Sequence, residues 1–102
     1  MRKSPIKRYW RVWRFDGYKT TFEKRVDLGQ FTENQIKELL RALESRSLSD
    51  DEIIGAYAKR KTRIANNLLH IHKDFAYPTY MCGEFAASVV DQNNKVIKHP
   101  VI

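Results

Sequence analysis

Arginines and a tryptophan recur two residues apart at the start of the chain, and this spacing is where chemistry first becomes legible. In an extended strand, Arg8, Trp10, Val12 and Arg14 project to one side. Lys19, Thr21, Glu23 and Arg25 alternate in the same way a few residues later. Nucleic-acid binding needs cations for phosphates and flat rings for bases. Arg8, Arg14, Lys19 and Arg25 are therefore candidate phosphate contacts, and Trp10 is a candidate stacking platform. A second reading uses the same face as a protein–protein interface. In that reading Trp10 and Val12 are covered by a helix or by another subunit of a homodimer, and the arginines border the contact.

A second cationic run, Lys59-Arg60-Lys61-Thr62-Arg63, adds Lys59, Arg60 and Arg63 to the nucleic-acid candidates. The plainer reading is a solvated helix end, where Lys and Arg offset the negative pole of the dipole. His70-Ile71-His72 places two imidazoles on one side of a strand, so both could reach one metal. Asp74, Cys82 and His99 are the only nearby candidates for a third ligand, and no spacing brings them together. Cys82 would need a neighbouring base to become a nucleophile, and His70, His72 and His99 are formal choices. A lone cysteine is more often a small buried hydrophobe. The glycines at 17, 29, 55 and 83 are too scattered to form a phosphate loop. The expectation is therefore a binding module and not an enzyme, with no metal and no cofactor.

Composition sets the frame. With 102 residues, of which 42% are apolar and 12% aromatic, the chain suits one domain with a modest core. Nineteen Lys and Arg stand against 12 Asp and Glu, a formal charge of +7 that favours polyanionic partners over long range. One cysteine rules out an intrachain disulfide and fits a reducing compartment such as the cytoplasm. No apolar run approaches the ~20 residues needed to span a bilayer, so no membrane partner is expected. The basic start at residues 1–8 is not followed by an apolar core, so no secretory signal is expected.

The elements must then position these groups. Asp16-Gly17 between two runs of aromatic and β-branched residues predicts a hairpin over 7–28. With a two-residue turn there, one face collects Tyr9, Arg11, Trp13, Phe15, Tyr18, Thr20, Phe22, Val26 and Leu28, and reads as the core side. The basic set above then lies outside. A turn of another length would shift the register and reassign one strand.

Thr32 with Gln35 forms a capping box for a helix over 32–46, with Ile36, Leu39, Leu40 and Leu43 as its apolar stripe. Ser49 with Glu52 starts a second helix to about 61, burying Ile53, Ile54, Tyr57 and Ala58. Strands follow at Leu68–Phe75, at Tyr80–Asp91 with a bulge at Gly83, and at Lys95–His99 after an Asn93-Asn94 turn. The predicted fold is α+β: an antiparallel sheet with two helices on one face, in the order β-β-α-α-β-β-β. It is read as a single domain over 1–102, with ends near 1–5 and 100–102 loosely held.

Overall fold

Apolar residues at alternate strand positions force a two-sided sheet, and the helical stripe at 36–43 supplies the cover for one side. The computed structural model describes residues 7–74 and 78–97. It contains β1 (Arg8–Asp16), β2 (Lys19–Asp27), α1 (Glu33–Ser45), α2 (Asp50–Tyr57), β3 (His72–Asp74), β4 (Thr79–Cys82) and β5 (Phe85–Asp91). A single 3-10 turn, Leu28–Gln30, links β2 to α1. The five strands are antiparallel and ordered β2-β1-β5-β4-β3. The α+β class and the element order thus agree with the sequence reading. The expected loose ends at 1–5 and 100–102 lie outside the described residues.

Both capping boxes form. The Thr32 hydroxyl accepts from the Gln35 amide at 3.1 Å, and the Gln35 side chain accepts from the Thr32 amide at 2.9 Å. Ser49 and Glu52 repeat the exchange at 3.2 and 2.9 Å. Each satisfies two amides that a helix start leaves without partners. Ile36 and Leu40 of α1 are fully buried against Trp10, Val12, Tyr80, Cys82, Phe85, Ala87 and Val89.

The hairpin corrects the face assignment. The turn is Gly17-Tyr18, with Asp16 opposite Lys19, not Asp16-Gly17. The register then shifts between Arg14 and Phe15, so that Phe15 faces Thr20 and Arg14 faces Phe22, and Thr21 is the extra residue. Together the two changes place even positions opposite even positions from Arg14 onward. β2 keeps its expected sides, with Phe22 and Val26 toward the helices. β1 exchanges its sides. Trp10, Val12 and Arg14 share the helix-covered face, and Tyr9, Arg11 and Trp13 lie on the open one. Trp10 is 0% exposed, and its indole N–H donates to the Phe31 carbonyl at 3.1 Å. The chain's own α1 covers Trp10 and Val12, so their burial needs no second subunit.

Three other expectations are revised. α2 ends at Tyr57, and Ile54 and Tyr57 are 58% and 66% exposed instead of buried. Gly55 and Ala56 face the packed side, because residues 64–66 fold back onto them. Of the expected strand at 68–75, only His72–Asp74 pairs among the described residues, and Phe75 lies outside them. Leu69 is buried in a turn closed by the His70 amide on the Asn67 carbonyl at 3.1 Å. The long strand over 80–91 is a hairpin, turning at Gly83-Glu84 with Cys82 opposite Phe85. Gly83 has φ +59, and the Glu44 carboxylate occupies the space a Cβ would take. That carboxylate accepts the Glu84 amide at 3.0 Å, tying the turn to α1. Past the Asn94 turn (φ 62) a single bridge joins Val96 to Val90; Lys95 and Ile97 are not in a strand, and 98–99 of the expected 95–99 strand lie outside the described residues.

Candidate functional site

The hairpin cations do not assemble into a surface. Arg14, on the helix side, pairs with Glu84 at 2.7 Å and lies over the Phe85 ring. Arg25, on the open side, stacks over Tyr9 at 4.5 Å and donates to the Gln92 carbonyl at 2.8 Å, bracing the 92–94 turn. Lys19 sits at the exposed hairpin tip, and Arg8 is half-buried at the far end of β1. Trp10 is inside the core and cannot stack on a ligand. Of the eight sequence candidates, these five are divided between two faces, the tip and the interior.

The open face carries its own stacked and paired side chains. Arg11 lies over the Trp13 ring at 4.4 Å and pairs with Glu23 at 2.9 Å. That bond, more than the wider field of Arg11 and Arg25, holds the Glu23 carboxyl below its usual range. Ala86, Ser88 and Val90 of β5, which share this face, are fully buried. The face carries Glu23, Asp27 and Asp74 as well as its arginines, so it has no cationic excess.

The second run is different. Lys59, Arg60, Lys61 and Arg63 are all exposed, and no carboxylate lies within ion-pairing distance of any of them among the described residues. The acids of α2, Asp50 to Glu52, lie in its first turn, and none of them pairs with the run. The run is held in shape by backbone contacts that leave the charges free. The Thr62 hydroxyl donates to the Lys59 carbonyl at 2.7 Å, and Lys61 turns the chain with φ 70. Asn66 anchors the return: its amide donates to the Gly55 carbonyl at 3.1 Å and its side chain to the Glu52 carbonyl at 2.9 Å. Its side-chain oxygen accepts the Leu68 amide at 3.1 Å.

Beside this loop lies a cleft of about 330 Å³, lined by Arg41, Tyr57, Arg60, Asn67 and His70 among others. No carboxylate lines it among the described residues. Arg41 is oriented by donating to the Leu69 carbonyl at 3.2 Å and to Glu38 at 2.5 Å. Sequence reasoning found Lys59, Arg60 and Arg63. It did not single out Arg41, and it placed Tyr57 in the core. The one available signal was that Tyr57 stands two residues before the basic run. The loop leads into β3, while Lys19 and Arg25 belong to β2 at the opposite edge, about 19 Å away across four strand spacings.

His70 and His72 meet edge to face at 4.6 Å. Among the described residues no group of three or more His, Cys, Asp or Glu is placed to hold a metal, and His99 lies outside them. Cys82 is fully buried. Burial pushes its thiol up to about 11, Glu44 adds to this, and Arg41 partly offsets it, so it is not a thiolate near neutral pH. No helix among the described residues is long and apolar enough to cross a membrane. Comparison with protein-family models, with curated proteins and with solved structures gives no match, so the residues themselves carry the functional reading.

Proposed function

We propose that this protein is a nucleic-acid-binding module that engages phosphates through Lys59, Arg60, Lys61 and Arg63. The observation that carries this is that, among the described residues, no carboxylate pairs with any of four exposed cations on a braced loop. Most of the other arginines are consumed by Glu23, Glu84, Glu38 or by rings. Such a concentrated charge attracts phosphates by counterion release, and the net charge of +7 adds long-range attraction.

Labelled single- and double-stranded oligonucleotides titrated at two salt concentrations test this. Binding should weaken as salt rises. In the combined Lys59→Ala, Arg60→Ala, Arg63→Ala variant the log–log salt slope should fall by about 0.7–0.9 per phosphate contact removed. Lys19→Ala, at the opposite edge, should leave it unchanged. No binding at low salt, or an unchanged slope in the triple variant, ends the proposal.

A second reading rests on Ile54, Tyr57 and Ile64, apolar side chains that are each more than half exposed. These suit a protein partner or a second copy of the chain. Light scattering at high concentration should then show a dimer that an Ile54→Lys, Ile64→Lys variant dissociates.

A further inference from the structure

We infer that the cleft between α1, the end of α2 and the basic loop takes one unpaired nucleotide, which makes the protein selective for single strands over duplex. This rests on the nucleic-acid reading above and extends it to the kind of strand. The cleft, at about 330 Å³, lies at the small end of the ~300–1,000 Å³ range of small-ligand sites, which suits one nucleotide unit and not a base pair.

Its walls match the parts of such a unit. Arg60 is exposed and has no ion pair among the described residues, and it belongs both to the proposed phosphate-binding loop and to the cleft lining. Arg41 is locked through its Nε and Nη1, which leaves Nη2 without a partner among the described residues. A guanidinium fixed in this way loses little freedom on meeting a phosphate oxygen or a base edge. Tyr57, 66% exposed as a residue, lines the same cleft and offers a ring on which a base can stack. The Asn67 carboxamide and the His70 imidazole, both exposed, offer donors and acceptors to a Watson–Crick edge. A base inside a duplex is stacked and paired and cannot present that edge to a side pocket, whereas a single strand can.

The test uses the full chain with a labelled 12-residue oligothymidylate, the same strand annealed to its complement, and thymidine 5′-monophosphate as competitor. The single strand should bind at least about 10-fold more tightly than the duplex at equal salt. Tyr57→Ala should weaken single-strand binding by about 5- to 150-fold, the range for losing one stacked base, with the salt slope unchanged. The residue is mostly exposed, so circular dichroism should show an intact fold. The monophosphate should compete with the single strand in the parent protein and fail to compete in Tyr57→Ala. Equal affinity for both forms, or a Tyr57→Ala protein that binds like its parent, overturns the cleft assignment while leaving the loop reading in place. Loss of salt-dependent binding to both forms removes the loop reading, and the cleft assignment with it.

Discussion

Cys82 shows how a single side chain links the core to pH. Its thiol is buried beside Tyr80 and Phe85, with Glu44 nearby, and both burial and that carboxylate disfavour the thiolate. The folded value of about 11 lies above the ordinary 9.0, so the fold favours the protonated thiol. Its contribution is intact below pH 9 and is lost as pH rises toward 11. At about 1.4 kcal/mol per pK unit, the loss should reach roughly 2–3 kcal/mol. Urea unfolding of the parent and of Cys82→Ala, at pH 7.5, 9 and 10.5, isolates it. The Tyr80 phenol is also held above its usual range, by burial and by its bond to Glu33, and it titrates in both proteins. The stability difference between them should therefore shrink as pH rises, and a constant difference would contradict the assignment. Some residue roles follow from type alone, as Cys82 does. Trp10 does not, because its side of the sheet is fixed by an extra residue at Thr21, eleven positions away. Aromatic residues lie on both sides of β1, and the sequence reading took the side of Tyr9, Arg11 and Trp13 for the core. Only the pairing with β5, which brings Val89 and Ala87 opposite Trp10 and Val12, decides between them.

At the scale of elements, local signals settled where helices begin, and long-range contacts settled where they end and which way they face. Thr32/Gln35 and Ser49/Glu52 are contained within four residues, so both starts were legible. The orientation of α2 was not, because it depends on Gly55. A Cβ there would lie 2.3 Å from the Ile64 carbonyl oxygen and 2.5 Å from the Asn66 amide nitrogen. The absence of a side chain lets the returning loop seat on the helix, and Ile54 and Tyr57 turn outward as a consequence. Gly55→Ala gains up to about 1 kcal/mol in helix propensity but forces a backbone carbonyl aside, at about 1–3 kcal/mol. The net expectation is a loss of about 1–2 kcal/mol in urea unfolding. Binding should weaken with it, since Asn66 and the basic loop are displaced together. Gly29 provides the control: nothing lies within 4 Å of its would-be Cβ, and Gly29→Ala should be neutral. The split of β4 from β5 was hidden for a related reason. Apolar residues continue on both sides of Gly83-Glu84, and the reversal depends on the pairing of Cys82 with Phe85 and on the distant contact with Glu44.

Across the whole molecule, positive charge is sorted by whether it has work within the fold. Arg11, Arg14, Arg25 and Arg41 bind carboxylates, carbonyls or rings and hold strands and helices together. The cations of 59–63 pair with no carboxylate among the described residues, and they repel one another on a loop that already contains a residue at φ 70. Charge without an internal partner is what the proposed binding draws on, and it also bears on stability. A surface cation that makes no contact contributes within about ±0.5 kcal/mol when replaced. Removing like-charge repulsion acts in the favourable direction. The combined Lys59→Ala, Arg60→Ala, Arg63→Ala variant should therefore unfold at a urea concentration equal to or above that of the parent while losing oligonucleotide binding. The gap between the two should narrow as salt screens the repulsion over ~10 Å at 0.1 M. Arg14→Ala should do the reverse, losing up to about 1 kcal/mol with its exposed pair to Glu84 and leaving binding intact. If the triple variant instead proved less stable by about 2 kcal/mol, the loop cations would be structural, and the separation of bracing charge from binding charge would fail.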